Sequence, residues 1–444
     1  MHGSSTTAPA STRASSFRVP GLRWWIALLL MGVTVVNYLD RTCLSFAAPT
    51  LKQQLGMDEV QFSHVLMAFQ LTYLLMQPVS GRLIDWLNIR VGMACAIAWW
   101  SAAQMLTAFC GGPVGFAMLR SLLGVGEAAN FPGAAKAVSQ WFAPRERSVA
   151  TGVINVGSGI GQMVAAPVVA ALILRWNWQV AFVVTGLAGF AWLSIWLVAY
   201  RDPAHHPWLS ASEWARIREA KQQETAREEQ ARGGGGAPVV WTAVLGTRKF
   251  WGLATARFFS EPAWQFFTYW IPLYLATERH LNLKDIAIFA WVPFLAGDLG
   301  SIVGGAMGPF FIRRGASVIR ARKLSALVCA TLMGLSICIG SAPSAGWAIF
   351  FFCVGAFAHQ AMSATLLTLP ADLFPERAVA TANGLSGTAG GIGGLLFTGI
   401  VGVAVHRSGY APLFVAIAVF DLLGSAVLWA TVDEARPSAS TGEG

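Results

Sequence analysis

The sequence predicts an all-α membrane protein with twelve transmembrane helices in two pseudo-symmetric six-helix bundles. Three observations carry this. Of 444 residues, 55% are hydrophobic and only 12% charged, against about 25% charged in a soluble domain. There are too few charges to cover a water-facing surface. The apolar residues fall in twelve runs, each near the ~20 residues that a helix needs to cross ~30 Å of hydrocarbon. Finally, ERSVATGVINVGSGIG at 146–161 returns as ERAVATANGLSGTAGG at 376–391. A barrel is excluded, because its strands alternate and are only about 10 residues long.

The runs follow in order. The first, 22–48, holds Asp40 and Arg41; the second, 61–83, holds Tyr73; the third is 91–111. The fourth, 113–138, carries Arg120 and Glu127, and the fifth, 148–174, opens at the first ERxVAT copy and contains Ser158. The sixth is 178–199. A polar connection, 200–249, then contains LSASEWARIREAKQQETAREEQAR. Ser210 with Glu213 predicts a capping box and a helix, and GGGG at 233–236 breaks it. This segment reads as a solvated tether, with a docking site for a cytosolic regulator as the other reading. The seventh run, 250–277, holds Arg257, Glu261, Trp264 and Trp270; the eighth, 285–311, holds Asp298; the ninth is 322–341. The tenth, 345–369, holds His359 and Gln360; the eleventh, 378–405, opens at the second copy and holds Asn383; the twelfth is 410–431. The expected units are a disordered tail at 1–21, bundles at 22–199 and 250–431, the connection between them, and a tail at 432–444.

The net charge of +9 does not point to nucleic acid, because it is distributed by topology. With both termini in the cytosol, only Lys52, Arg175, Arg279, Lys284 and Arg407 fall in outer loops. Arg41, Arg120 and Arg257 fall inside helices, and the rest of the 31 Lys and Arg lie in the tails, the inner loops and the adjoining helix ends. That is the positive-inside asymmetry. The six cysteines lie in apolar runs without CxxC spacing, so neither a disulfide framework nor a zinc site is expected. No short apolar segment with a cleavage site precedes the first run. GVGE and GSGIG follow no strand and lack the Lys-Ser/Thr of a phosphate loop, so nucleotide binding is excluded. No metal-ligating cluster is expected.

A parallel repeat of six helices is one way transporters are built, with substrate held at the midplane between the halves. The ERxVAT copies then open equivalent helices, and their glycines serve close helix packing. Between the second and third runs stands GRLIDWLNIR, from Gly81 to Arg90. With RSLLGVGEA in the fourth run, it resembles the major facilitator superfamily. Trp86 and Ile89 stand where that family often has basic residues, and Asn88 where it usually has glycine. The resemblance implies that Asp85 pairs with charges on neighbouring helices near the cytosolic gate, with Gly81 and Arg90 in the same loop. NYLDR, RSLLGVGEAANFPGAAKAVSQWF and RERSVATGVINVGSGIG are similar to the anion:cation symporter branch. RFFSEPAW, NLKDIAIFAWVPFLAGDLG, GAFAHQ and VATANGLSG are similar to bacterial hexuronate permeases. The likeness spans about residues 22–430. Hexuronate permeases do not all carry an acid at the position of Asp40, whereas aldonate-type relatives typically do.

Charges inside a bilayer cost about 2.5–3.5 kcal/mol each on insertion scales, so they need partners or a wet cavity. Arg120 and Glu127 are nearly two turns apart on one face, Arg257 and Glu261 one turn apart, and Asp40 and Arg41 point about 100° apart. A sugar acid needs a fixed cation, and arginine grips a carboxylate in bidentate fashion. Arg41 is expected as the main clamp and Arg257 as the second, unless Arg257 pairs with Glu261. Arg120 is expected to partner Glu127 or Asp40. Asp40 and Glu127, with Arg120 and Glu261 around them, are expected to carry the coupling proton; the competing reading for each acid is a permanent ion pair. Tyr73, Trp264, Trp270, His359, Gln360 and Asn383 suit a sugar ring and its hydroxyls, though the aromatics also suit plain packing and His359 a structural hydrogen bond. Ser158 either approaches substrate or packs helices. Asp298 either lines the cavity or pairs with another helix.

The expectation is therefore a monomeric, multi-pass importer of the bacterial inner membrane. It takes up hexuronate with protons by alternating access, and uses no cofactor beyond the proton. The rivals are a symporter for an aldonate, aldarate or aromatic acid, an efflux antiporter, and a membrane sensor.

Overall fold

The computed structural model describes residues 18–233, 241–374 and 376–432. Residues 1–17 and 433–444 of the expected tails (1–21 and 432–444), and residues 234–240 of the connection, lie outside them. The helices are α1 (Leu22–Leu55), α2 (Glu59–Leu87), α3 (Ile89–Leu106), α4 (Pro113–Glu127), α5 (Asn130–Trp141), α6 (Pro144–Arg175) and α7 (Trp178–Ala199). After the connection with α8 (Ala211–Gly233) and α9 (Trp241–Leu245) come α10 (Arg248–Thr277), α11 (Leu283–Phe289), α12 (Val292–Arg313) and α13 (Val318–Met333). The last are α14 (Ala345–Leu373), α15 (Glu376–Ser408) and α16 (Ala411–Thr431). These make twelve spans, with α4–α5 and α11–α12 each forming one. Among the described residues, nine spans are long and apolar enough to cross a membrane by length and composition alone. The other three (α2, α4–α5 and α10) carry Gln70, Arg120, Glu127, Arg257 and Glu261.

Three spans differ from their sequence-based expectation. The fourth is not one helix, because the chain unwinds at Ala128–Ala129. Pro132 follows, and a proline removes the amide that would bond the carbonyl four residues back, here Ala128. Irregular backbone at membrane depth is tolerated where protein covers it, and both alanines are buried. Pro293 breaks the eighth span in the same way at Ala290–Trp291. The ninth ends as a 3-10 turn over Gly334–Ile339. Arg279 satisfies the carbonyls there, donating to Ile339 at 2.7 Å and Ala342 at 2.8 Å.

Local signals explain several ends. Asp58 and Gln61 form a reciprocal capping box at α2. Asn88 ends α2 at φ 66° and ψ 162°, outside the αL well and in a region that residues with a Cβ rarely adopt. Its side chain then accepts from Val91 N at 3.1 Å and caps α3.

Each bundle closes through its glycine-dotted helix. A Cβ at Gly157 or Gly161 of α6 would fall 2.5 or 2.6 Å from the carbonyls of Met31 or Val35 on α1. On α15 the equivalent close approach is at Gly393, 2.1 Å from the Phe258 carbonyl of α10. Gly391, the sequence counterpart of Gly161, instead faces Leu74 of the other bundle. Large apolar side chains stay outside, Ile302 72% and Val114 68% exposed. A contiguous apolar exterior of this kind marks a lipid-facing surface.

The connection is not wholly a solvated tether. Glu213 of α8 is buried, and its carboxylate accepts from Leu22 N at 3.2 Å and Arg23 N at 3.3 Å. Only half of the expected capping box forms: Glu213 N donates to Ser210 Oγ, while the Glu213 carboxylate caps α1. Negative charge there complements the helix dipole. His206 Nδ1 accepts from Trp208 N, which leaves Nε2–H to donate to the Ala199 carbonyl at 3.0 Å. Burial pushes its pKa below the usual histidine range. Trp141 packs edge-on against the same ring.

The bundles are tied together toward the α1–α2 loop. Ser63 donates to the Thr398 carbonyl, and Gln70 bonds Thr398 at 3.1 Å and Gln265 at 3.3 Å. Glu59 pairs with Lys52 and lies 3.7 Å from His406 of α15. Phe62 meets Trp270 edge to face, centroids 5.3 Å apart.

Candidate functional site

Arg41 and Glu127 meet at the centre of the first bundle. Arg41 Nε and Nη2 both lie 3.0 Å from Glu127 Oε2, and Nη2 also donates to Asn37 Oδ1 at 3.3 Å. The guanidinium sits among three rings, 4.6 Å from the centroids of Tyr38 and Tyr73 and 5.1 Å from that of Phe69. Glu127 is fully buried, and its Oε1 makes no hydrogen bond. It ends α4 where the helix unwinds. Tyr269 of α10 lies near this pair from the second bundle. Arg41 is thus not an open clamp here, because Glu127 already occupies it.

Asp40 points the other way, as a 100° step requires. It is fully buried, and neither carboxylate oxygen makes a hydrogen bond. Arg120 does not partner the carboxylate of Asp40 or Glu127 as expected. Its hydrogen bond goes to the Asp40 carbonyl at 3.3 Å, and its guanidinium lies over Phe182. Arg120 shares a helix face with Glu127, but seven residues separate them by about 10 Å along the axis.

In the second bundle Arg257 reaches across to α15 rather than along α10. It donates to Asn383 Oδ1 at 2.9 Å and to Ser386 Oγ at 3.3 Å. The intrahelical pair with Glu261 does not form. Glu261 lies near Gln265 and, across the bundles, near Tyr38. Arg257 is therefore a half-buried guanidinium with neutral partners, and in that respect more open to a carboxylate than Arg41.

The remaining candidates divide. Trp264 stacks on His359, centroids 5.7 Å apart at 12°, and a Cβ at Gly297 would touch both Trp264 and Gln360. Tyr73, Trp264, Gln360 and Asn383 are partly exposed, whereas His359 is buried with Nδ1 3.5 Å from Ser260 Oγ. Trp270 belongs to packed core beside Phe62 and Tyr410. Ser158 donates to its own helix at Asn155 O. Asp298 lies across the bundle boundary against Gly159, where a Cβ would fall 2.1 Å from Oδ2. The expected Gly81–Arg90 loop is helical except at Asn88: in α2, Asp85 pairs with Lys136 of α5 at 2.6 Å and Gly81 faces Pro132, while Arg90 of α3 donates to the Leu197 carbonyl. A cavity of about 510 Å³ lies near the α1–α2 loop beside Lys52 and Thr277, and one of about 460 Å³ beside Arg90 and Tyr200. Neither is lined by Arg41, Glu127 or Arg257.

Sequence reasoning passed over Asp421, a fully buried acid of α16 whose two oxygens make no hydrogen bond. One acid inside FDLLGSAVLW was a signal, since charge in a span is expensive. It also passed over the Lys52–Glu59–His406 contact, in which a pair formed across the α1–α2 turn meets α15 of the other bundle.

Twelve spans in two bundles, with arginines and acids inside the spans of each, define a polytopic membrane protein built around intramembrane charge. The chain belongs to the Major Facilitator Superfamily, whose family model matches residues 30–319. It is 40% identical over 426 residues to the hexuronate transporter of Escherichia coli strain K12, covering 95% of this chain and 96% of that one. It is 39% identical to the galacturonate transporter of Dickeya chrysanthemi, covering 71% of this chain and 90% of that one. Among solved structures, a bacterial homolog of the human lysosomal transporter Spinster superposes with a TM-score of 0.73 at 16% identity, covering 93% of this chain and 97% of that one.

Proposed function

We propose that the chain imports a hexuronate, galacturonate or glucuronate, together with protons, by alternating access between its two bundles. The supporting relatives carry hexuronate and galacturonate in their names and match most of the chain. The observation that carries the mechanism is the Arg41–Glu127 pair with one carboxylate oxygen unbonded. A proton on Glu127 removes the charge that holds Arg41, and Arg41 then turns to the sugar carboxylate. Arg257, held by Asn383 and Ser386, supplies the second cation from the opposite bundle. Tyr73 and Trp264 offer ring faces, and Gln360 and Asn383 offer hydroxyl partners. Asp40, behind α1, is a second acid able to exchange a proton.

With both termini cytosolic in an inner membrane, the ties at Glu59, Ser63 and Gln70 close the outer side. This conformation then faces inward, after release, with Glu127 deprotonated and back on Arg41. The coupling ion is the proton, no cofactor takes part, and one chain suffices as the transport unit. A related anion such as an aldonate would use the same cations. The two readings separate in proteoliposomes. With the outside acid, labelled galacturonate accumulates and unlabelled glucuronate competes, whereas galactonate and an aromatic acid compete poorly. Competition by galactonate but not by glucuronate would reverse the assignment.

A further inference from the structure

Two side-chain amides meet across the bundles. Gln70 Nε2 of α2 donates to Gln265 Oε1 of α10 at 3.3 Å and to Thr398 Oγ1 of α15 at 3.1 Å. The Thr398 hydroxyl lies 2.8 Å from the Gly394 carbonyl and 3.2 Å from Gln70 Oε1, and its one proton serves one of them. Gln70 is 9% exposed and Thr398 2%, while Gln265 is half-buried. A primary amide has two donors and an acceptor oxygen to satisfy, and burying it without partners is costly.

Closing this interface does not call for amides. On either side of Gln70, α2 meets bare backbone of α15. Cβ atoms at Gly391, Gly399 and Gly402 would fall 3.1 Å from Leu74 Cδ1, 2.9 Å from Met67 Sδ and 2.4 Å from Ser63 Cβ. An apolar pair of the same shape would pack there with nothing polar to satisfy. The amides therefore need a use in another state, and alternating access supplies one. The bonds from Gln70 run from the first bundle to the second, so they break when the bundles part at the α1–α2 end.

The amides flank the residues assigned to substrate. Gln70 stands one turn of α2, about 4.5 Å, from Tyr73, whose ring holds the Arg41 guanidinium. Gln265 adjoins Trp264 and packs with Glu261 over Gly394, where a Cβ would fall 2.8 Å from Gln265 Cγ and 3.3 Å from Glu261 Cγ. A hexuronate ring carries hydroxyls, each a donor and an acceptor, which match both halves of an amide.

We infer that Gln70 and Gln265 read the ring hydroxyls of the substrate, exchanging their bond to each other for bonds to the sugar. This role rests on the hexuronate reading above and adds two specificity-determining residues to it. A sugar that meets both amides restores what parting the bundles removes. An anion without hydroxyls does not, and a site built to bond a hydroxyl rejects the analogue that lacks it. The arginines alone read only the carboxylate.

The test measures binding to the full chain in detergent. Labelled galacturonate is displaced by unlabelled galacturonate or by tetrahydropyran-2-carboxylate, a ring acid without hydroxyls. The ratio of the two dissociation constants is the readout. Gln70→Met and Gln265→Met keep roughly the side-chain volume and remove the amide. Each should shrink the preference for galacturonate by about two- to tenfold, the range for one lost neutral hydrogen bond. Loosening the tie between the bundles cannot do this by itself. A change in the population of the binding-competent state alters every ligand's apparent affinity by one factor and leaves the ratio fixed. An unchanged ratio in either variant would overturn the proposal, and each variant decides alone should the other fail to fold. Failure of the wild type to bind galacturonate would instead reject the hexuronate reading on which the role rests.

Discussion

Arg257→Gln tests which guanidinium holds the substrate. Arg257 is hydrogen-bonded only to neutral groups, Asn383 Oδ1 at 2.9 Å and Ser386 Oγ and the Asn383 carbonyl at 3.3 Å each. Exchanging these for a carboxylate converts neutral hydrogen bonds into charge-assisted ones. A hydrogen bond to a charged group contributes about 1.5–3 kcal/mol, and each 1.36 kcal/mol is tenfold. Loss of the guanidinium should therefore raise the KM for galacturonate by roughly ten- to a hundred-fold. Arg257→Lys should recover only part of this, because an ammonium does not reproduce the planar fork. The stability cost should be small, since no buried counter-ion is orphaned. The assay is counterflow of labelled galacturonate in proteoliposomes, with reconstituted protein quantified and its unfolding temperature checked. A KM within twofold of wild type in Arg257→Gln would refute the assignment of Arg257 to the substrate carboxylate.

Two further outcomes test the fold that places the site. Glu213→Ala removes the acceptor that caps Leu22 and Arg23, and should cost about 0.5–2 kcal/mol, the usual range for losing a helix cap; thermal unfolding in detergent measures it. Gly393→Ala places a Cβ 2.1 Å from the Phe258 carbonyl, and should destabilise by about 1–3 kcal/mol through overpacking. Gly384→Ala on the same helix meets nothing within 4 Å, and should be neutral or stabilising by up to ~1 kcal/mol.

Much of this arrangement was legible in the sequence, and particular residues show where legibility ended. Hydrophobic runs marked the spans, and the glycines after the ERxVAT stretches marked close helix packing, while the partner helix, α1 for α6, shows only in the structure. Adjacency alone placed Asp40 and Arg41 on different sides of α1. What a linear reading lacks is the third helix. Arg257 and Glu261 are spaced to pair, yet Asn383 and Ser386 of α15 take the guanidinium. Arg120 and Glu127 share a face, yet Arg41 of α1 reaches Glu127 first. Asp421 passed unnoticed because no charged residue lies near it in sequence. The connection looked solvated because Glu213 reads as one more helix-forming acid; its contact with Leu22 is 191 residues away.

The account turns on Glu127 and substrate competing for Arg41. Glu127→Gln keeps the shape of the side chain and removes both the charge and the titratable proton, so it separates binding from coupling. In proteoliposomes carrying this variant, galacturonate counterflow should persist, while an outside-acid pH difference should no longer drive accumulation above the external concentration. Wild-type accumulation under the same pH difference would contradict the account.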